Sequence, residues 1–165
     1  MKSVVVMGVA GCGKSSVGQA LAQALKLPLI EGDEFHSAHN LDKMSRGLAL
    51  TDADRADWLA ALGQVLAQHK KTGAVLTCSA LKRSYRDLLR SQAPGLRFVF
   101  LDIDQHTAHQ RVAQRASGHL FPTSLVQSQF ATLESPLGEP GVLRVDATES
   151  LAHLREVIVA WLASA

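Results

Sequence analysis

The sequence has few of the features that mark membrane-spanning, secreted or nucleic-acid-binding chains. Its 165 residues include only two cysteines, Cys12 and Cys78, which cannot form a disulfide framework and do not stand at metal-ligand spacing. No apolar run approaches the ~20 residues that a membrane span needs, and the first residues enter an apolar strand without a signal peptide. The net charge of +2 is small and the basic residues are scattered. We therefore expect a cytoplasmic protein with no membrane and no nucleic-acid partner.

The chain does have the pattern of an α/β protein. Its length and its hydrophobic fraction of 47% fit a single domain over residues 1–165 with a sizeable core. Segments of helical period alternate with short apolar runs, which predict strands at 4–7, 28–31, 74–78, 97–102 and 142–145. Runs that are apolar at nearly every position are typical of strands buried on both faces. We therefore predict a parallel five-stranded sheet sandwiched by helices.

The strongest motif directly follows the first predicted strand and matches G-x-x-x-x-G-K-[ST] at every fixed position. It consists of Gly8, Val9, Ala10, Gly11, Cys12, Gly13, Lys14 and Ser15, and we count Ser16 with it. A glycine loop that enters a helix points backbone N–H groups and the positive end of the helix dipole at phosphates. Lys14 is expected to reach the β- and γ-phosphates, and the Ser15 hydroxyl to ligate Mg²⁺. The motif predicts binding of a nucleoside triphosphate.

Two acidic residues flank a glycine at the end of the second predicted strand, in Glu31-Gly32-Asp33. Ligands of parallel sheets lie beyond the carboxyl ends of the strands, so this pair is expected to face the bound phosphates. Phosphoryl transfer to an alcohol needs a group that accepts or orients the hydroxyl proton. We predict that Asp33 is this group and that Glu31 is an outer-sphere partner of Mg²⁺. The alternative is that Asp33 or Glu34 only caps the following helix.

The next polar residues are candidates for an acceptor site. His36, Asn40, Lys43 and Met44 stand at i, i+4, i+7 and i+8. This spacing predicts one shared helix face. That face is suited either to the hydroxyls and carboxylate of a substrate or simply to solvent.

Basic residues further along the chain are candidates for anion binding. Thr51 and Asp54 fit a capping box, which leaves Arg55 either to bind a carboxylate or to pair with nearby aspartates. Of the four polar residues after the third predicted strand, at least one is expected to face the anionic site. These four are Ser79, Lys82, Arg83 and Arg86.

A second pair of arginines, Arg111 and Arg115, precedes Gly118 at i and i+4 spacing. This pattern predicts either an ordinary basic helix face or a small lid, at about residues 111–122, that carries guanidinium groups onto the transferring phosphoryl. We assign Arg115 a catalytic role and Arg111 a nucleotide-binding role. The strand that ends in Asp102 resembles a Walker B strand, but we do not predict a metal ligand there.

Four blocks of the sequence resemble the gluconate kinase (gluconokinase) family of small P-loop sugar-acid kinases. The blocks span residues 8–15, 31–59, 78–90 and 118–134; they occur in order and cover most of the chain. The first block is shared with many unrelated proteins, whereas the second and third are specific to this family. Two positions depart from the family's pattern: Ser37 stands where proline is usual, and Glu31 where aspartate is frequent.

The resemblance implies a nucleoside-monophosphate-kinase-like P-loop fold with a lid, often as a homodimer. It implies ATP-dependent phosphorylation of the terminal hydroxyl of D-gluconate to 6-phospho-D-gluconate, with Mg²⁺, and it places Asp33 at the reacting hydroxyl. The residues that it implies near the substrate are His36, Asn40, Arg55, Lys82, Arg86 and His119. Two other hypotheses are a related kinase for another polyol acid such as shikimate, and a GTP-dependent switch, although the guanine-reading Asn-Lys-x-Asp motif is missing from the sequence.

Overall fold

The fold is built on one parallel sheet with the strand order β2-β3-β1-β4-β5. It is seen in a computed structural model, which describes residues 3–114 and 123–164. The strands are β1 (Val4–Met7), β2 (Leu29–Glu31), β3 (Val75–Thr77), β4 (Arg97–Asp102) and β5 (Val142–Asp146). The prediction of a parallel five-stranded sheet is confirmed, and the predicted strand ends differ from the observed ones by at most one residue.

Helices cover both faces of this sheet. They are α1 (Lys14–Leu25), α2 (Ala38–Ser45), α3 (Asp52–Gln68), α4 (Arg83–Gln92), α5 (Gln105–Gln114), α6 (Ser124–Thr132) and α7 (Leu151–Ala163). Nowhere in the described ranges is a helix long and apolar enough to cross a bilayer.

Successive residues of the central strand β1 pack on opposite faces of the sheet, because side chains alternate along a strand. Val4 and Val6 join a core with apolar residues of α1, α5, α6 and α7. Val5 and Met7 join a second core with residues of α3 and α4. All four valine and methionine side chains are buried. This burial on both faces explains why the strand reads as an unbroken apolar run.

The starts of α2 and α3 are fixed by side-chain caps. The Thr51 hydroxyl accepts from the Asp54 backbone N–H at 3.1 Å, and the Asp54 carboxylate accepts from the Thr51 N–H at 2.9 Å, so the predicted capping box is confirmed. The cap of α2 is Ser37, whose hydroxyl accepts from the backbone N–H of Asn40 at 3.1 Å. The alternative that Asp33 or Glu34 caps this helix is therefore wrong. Both lie in a single 3-10 turn before it.

Arg86 lies in the interior of the protein. Its side chain is fully buried on α4 and forms two hydrogen bonds to the Glu139 carboxylate, at 2.9 and 2.6 Å. The same guanidinium donates to the backbone oxygens of Ala80 at 2.7 Å and Glu134 at 2.9 Å. Burial by itself raises the pKa of Glu139, but the hydrogen bonds from Arg86 and Arg90 bring that pKa below its usual range. The prediction that Arg86 lies near the substrate does not fit this placement, because its donors are already paired inside the fold.

Arg86→Ala should therefore destabilise the fold. Removing one partner of a buried ion pair costs about 3–5 kcal/mol because the remaining charge is left poorly compensated. The matched control is Arg83→Ala on the same helix, since Arg83 forms only an exposed ion pair with Asp87 at 3.6 Å. That control should cost less than about 1 kcal/mol. Urea unfolding measures both, and equal costs for the two variants would contradict a structural role of Arg86.

Candidate active site

The loop between β1 and α1 forms a cradle of backbone donors. Gly13 caps α1 in the left-handed conformation, with φ 96°, and no side chain of the described residues caps this helix. The first N–H groups of a helix lack intrahelical partners, so here they remain available to an anion. The Lys14 ammonium folds back over the loop and donates to the backbone oxygens of Gly8 at 3.0 Å and Val9 at 3.2 Å.

The end of β2 lies directly beside this cradle. The Glu31 carboxylate accepts hydrogen bonds from the hydroxyl of Ser15 at 3.0 Å and from the hydroxyl of Thr77 at 2.8 Å. Gly32 allows this approach, since a Cβ at that position would lie 2.2 Å from the backbone oxygen of Thr77. The predicted neighbourhood of Ser15 and Glu31 is thus present, and it gathers the hard oxygen donors that Mg²⁺ prefers.

The thiol of Cys12 points into the core. Cys12 is buried, and a Cβ on Gly8 would lie 2.7 Å from its Sγ. Burial raises the pKa of this thiol, and burial raises the pKa of Cys78 to about 12. Both cysteines are free. Their sulfurs therefore fill space and have no nucleophilic role.

The predicted acceptor residues Asp33 and His36 lie on one 3-10 turn, Asp33 in its first part and His36 at its C-cap. The Asp33 side chain is 68% exposed, whereas that of His36 is 4% exposed, and Asp33 Oδ1 lies 3.9 Å from His36 Nε2. The imidazole stacks on Trp58 with a centroid separation of 4.2 Å. The pKa of His36 is lowered, mainly because the side chain is buried. The Asp33 charge opposes this shift, and the Arg55 charge adds to it. His36 is therefore neutral near pH 7.

Arg55 places a buried positive charge on the same side of the site as Asp33 and His36. It is 9% exposed, and its Nη1 donates to the Tyr85 hydroxyl at 3.1 Å. That hydroxyl in turn donates to the Asp52 carboxylate, which also accepts from the Lys82 ammonium at 3.0 Å. The hydrogen bond from Tyr85 and that from Lys82 lower the pKa of Asp52. No carboxylate of the described residues lies within ion-pair distance of Arg55, so its charge is available to an anionic ligand.

The polar residues Asn40 and Lys43 of α2 are turned neither to a substrate nor to solvent, which were the two alternatives considered for them. The Lys43 ammonium pairs with the Asp54 carboxylate at 2.5 Å, and the Asn40 amide donates to the Asp54 backbone oxygen at 2.9 Å. These bonds dock α2 on the start of α3. The expected helix face is also shorter than predicted, because His36 precedes α2; only Met44 of that helix reaches the cleft.

One cleft gathers most of the predicted donor and acceptor residues. Those that line it are Ala10, Gly11, Gly13, Lys14, Ser15, Ser16, Asp33, His36 and Arg55. Residues from both sides of the predicted reaction thus share one space. Gly8, Val9 and Cys12 belong to the loop backbone but not to the lining, and Asn40, Lys82 and Arg86 are likewise not among the lining side chains. Arg115 and His119 lie outside the described residues.

Arg111 lies behind the phosphate loop. Its guanidinium donates to the backbone oxygens of Gly11 at 3.2 Å and Ala147 at 3.2 Å. Arg111 lies in the last turn of α5, which ends at Gln114, and residues 115–122 of the predicted lid fall outside the described residues. Asp102 accepts from Arg144 at 2.9 Å in an exposed ion pair.

Sequence reasoning missed Gln129 as a site residue. Its side-chain oxygen accepts from the Ala10 backbone N–H at 2.8 Å, so α6 closes one side of the phosphate cradle. Leu125, Ser128 and Gln129 all line the cleft. Their i, i+3, i+4 spacing puts them on one helix face and was the available signal. It was weak, because the same spacing is common on solvent-facing helices.

The sheet, the phosphate loop at its carboxyl edge and the carboxylate across the cleft define a P-loop phosphotransferase for a small molecule. Comparison with known proteins agrees with this class: residues 4–140 match the family described as AAA domain. The chain is 49% identical over 144 residues to a gluconokinase of Gluconobacter oxydans (strain 621H), covering 86% of this chain and 80% of that protein. It is 40% identical over 159 residues to the thermosensitive gluconokinase of Escherichia coli (strain K12), covering 94% and 84%.

The structural likeness extends over the whole fold. A crystal structure of a gluconokinase from Sinorhizobium meliloti 1021 superposes with a TM-score of 0.90 at 50% identity, covering 99% of this chain and 92% of that one. The chain therefore belongs to the gluconokinase family, and it is a P-loop kinase. The resemblance found in the four sequence blocks is confirmed.

The placement of the two thiols can be tested by their reactivity. In the native protein neither Cys12 nor Cys78 should react with an aromatic disulfide reagent at about pH 8, because burial keeps both as neutral, inaccessible thiols. After denaturation both should titrate at the rate of an unperturbed cysteine. Cys78→Ala assigns the signals. Fast labelling of Cys12 in the native protein would contradict its place in the core.

Proposed function

We propose that the protein transfers the γ-phosphoryl group of ATP to the terminal hydroxyl of D-gluconate, giving ADP and 6-phospho-D-gluconate. The observation that carries this proposal is the joint lining of one cleft by Lys14, Asp33 and Arg55. Lys14 supplies positive charge to the phosphates, Asp33 an acceptor for the hydroxyl proton, and Arg55 a planar cation for the sugar-acid carboxylate. Family membership supports the choice of gluconate.

The residues that would act in the reaction lie on two walls of the cleft, a donor wall and an acceptor wall. On the donor wall, the loop N–H groups and Lys14 bind the phosphates and stabilise the charge that spreads over the transferring group. On the acceptor wall, Asp33 orients the hydroxyl and takes its proton as the oxygen attacks the γ-phosphorus and ADP leaves. Arg55 anchors the far end of the acceptor, so that its terminal hydroxyl lies near Asp33.

A Mg²⁺ ion fits the oxygen donors at the end of β2. The Ser15 hydroxyl would bind it directly and the Glu31 carboxylate through a water molecule, because both oxygens already lie together. When bound, the ion would neutralise charge on the phosphate oxygens. We also propose a cytoplasmic homodimer. The family resemblance supports the dimer, and two free, buried thiols fit a reducing compartment.

A coupled ADP-release assay with a panel of acceptors tests the function. D-gluconate should stimulate ADP release, whereas D-glucose, which lacks the carboxylate that Arg55 would bind, should stimulate it little. Shikimate serves as the competing polyol acid. Lys14→Ala, purified in parallel, reports contaminating kinases, and it should lower turnover by orders of magnitude while staying folded. No stimulation by gluconate would overturn the proposal.

The role of Asp33 is tested by Asp33→Asn, which keeps the shape of the side chain and removes its basicity. Turnover should fall by about 10²–10⁴-fold, the range typical of a lost general base, while ATP binding, measured by calorimetry, stays nearly unchanged. Glu34→Gln is the matched control, since Glu34 is an exposed carboxylate in the same 3-10 turn. Near wild-type turnover of Asp33→Asn would show that Asp33 is not the base.

A further inference from the structure

The imidazole of His36 is held in a fixed plane next to Asp33. Its side chain is 4% exposed and stacks on Trp58 with an interplanar angle of 18°. Trp58 is itself fixed, because its indole N–H donates to the backbone oxygen of Gly32 at 2.8 Å. With the ring plane settled, the remaining variable is which ring nitrogen carries the proton of the neutral imidazole.

The side-chain amide of Asn40 decides this question. Its Nδ2 lies 2.9 Å from the backbone oxygen of Asp54, and a carbonyl oxygen only accepts, so the nitrogen and not the oxygen of the amide must face it. The same Nδ2 lies 3.3 Å from His36 Nδ1. An amide nitrogen only donates, so Nδ1 must accept and carries no proton. The proton of the neutral ring is therefore on Nε2.

The Nε2 atom faces the acceptor side of the cleft. It lies 3.9 Å from Asp33 Oδ1, which is too long for a direct hydrogen bond. At this separation, His36 and Asp33 can each form a hydrogen bond to neighbouring hydroxyl groups of one ligand. The charged groups that act on the ring are Asp33 and Arg55, of opposite sign, and burial keeps the ring neutral. His36 thus offers an N–H donor beside a carboxylate acceptor.

We propose that Asn40 is a positioning residue that holds neutral His36 as the Nε2–H tautomer, so that His36 donates a hydrogen bond to a substrate hydroxyl next to the one bound by Asp33. The identity of the ligand, a polyol acid, rests on the proposed function; the tautomer does not. This arrangement also prevents His36 from competing with Asp33 for the reacting proton, because the nitrogen that faces the cleft has no free lone pair. Asn40, which was expected to contact the substrate, acts instead through its hydrogen bond to His36.

Long-range proton–nitrogen NMR spectra of protein with ¹⁵N-labelled histidine test the tautomer directly. His36→Gln identifies the signals of His36 by their loss. The wild-type spectrum should show a bare Nδ1 and a protonated Nε2 near pH 7. A protonated Nδ1, or an averaged pattern for the two nitrogens, would overturn the proposal. This readout needs no substrate, so it stands even if gluconate fails in the activity assay.

Two variants of Asn40 test its role in positioning. Asn40→Asp replaces the donor with an acceptor and should move the proton to Nδ1, whereas Asn40→Leu removes the donor and should give an averaged tautomer pattern. Both should raise KM for gluconate by about tenfold, the scale of one lost hydrogen bond, and leave KM for ATP nearly unchanged. Using both keeps the test valid if the aspartate variant fails to fold beside the Asp54 carbonyl.

Ser37→Ala is the matched control. It removes the cap of the same helix, which costs about 1 kcal/mol of stability, but the Ser37 hydroxyl bonds the backbone N–H of Asn40 and not the imidazole. The tautomer and both KM values should stay as in the wild type. Unchanged tautomer and kinetics in both Asn40 variants would overturn the proposal, as would the same KM change in Ser37→Ala.

Discussion

The site depends on the tight contact between the end of β2 and the end of β3. The Gly32 N–H donates to the Thr77 hydroxyl at 3.3 Å, the same hydroxyl donates to Glu31, and the Gly32 oxygen accepts from Trp58. A Cβ at Gly32 would overlap the Thr77 backbone oxygen. Because this contact fixes the backbone between two carboxylates, Glu31 faces the phosphate loop and Asp33 faces the acceptor side. A single glycine thus separates the carboxylate beside the phosphate loop from the carboxylate that is proposed to act on the acceptor.

Two arginines on the same side of the sheet show how pairing separates structural from functional charge. Arg86 is fully buried and forms hydrogen bonds with a carboxylate and two backbone oxygens, so its guanidinium is not exposed to a ligand. Arg55 is nearly as buried, but its described partner is the neutral hydroxyl of Tyr85. A buried cation without a carboxylate partner carries a desolvation cost that an anionic ligand can offset. That difference, and not burial alone, favours Arg55 as the carboxylate-binding group.

Local patterns in the sequence were enough to predict the sheet and the phosphate loop. The apolar runs of β1 and β4 are contiguous in the sequence, and so is the motif that ends in Lys14 and Ser15. Each of these local patterns predicts a single structure. The capping box of Thr51 and Asp54 is equally local. The apolar run of β2 put Asp33 at a strand end, and the general rule for parallel sheets then predicted that it lies near the phosphate loop.

Distant pairings explain what sequence reasoning could not reach. The family resemblance placed Arg86 near the substrate. Its partner, Glu139, lies 53 residues further along the chain, and no periodicity links the two. Gln129 was missed for the same reason, since its contact with Ala10 spans 119 residues. The polar face of α2 was read as open because nothing local shows that Asp54 covers it. Local secondary structure can be predicted from the sequence, whereas the tertiary partner of a polar or charged side chain cannot.

The start of α2 combines a local cap with a distant contact. Ser37 stands where the family usually has proline, and its hydroxyl satisfies the Asn40 backbone N–H, a donor at the helix start that proline at position 37 would leave without this cap. The cap fixes the backbone of Asn40 at the first turn, and the Asp54 oxygen fixes its amide. The orientation of the amide then determines which nitrogen of His36 faces Asp33. The Ser37 cap therefore stabilises the start of the helix, whereas the orientation of the Asn40 amide depends on the Asp54 oxygen.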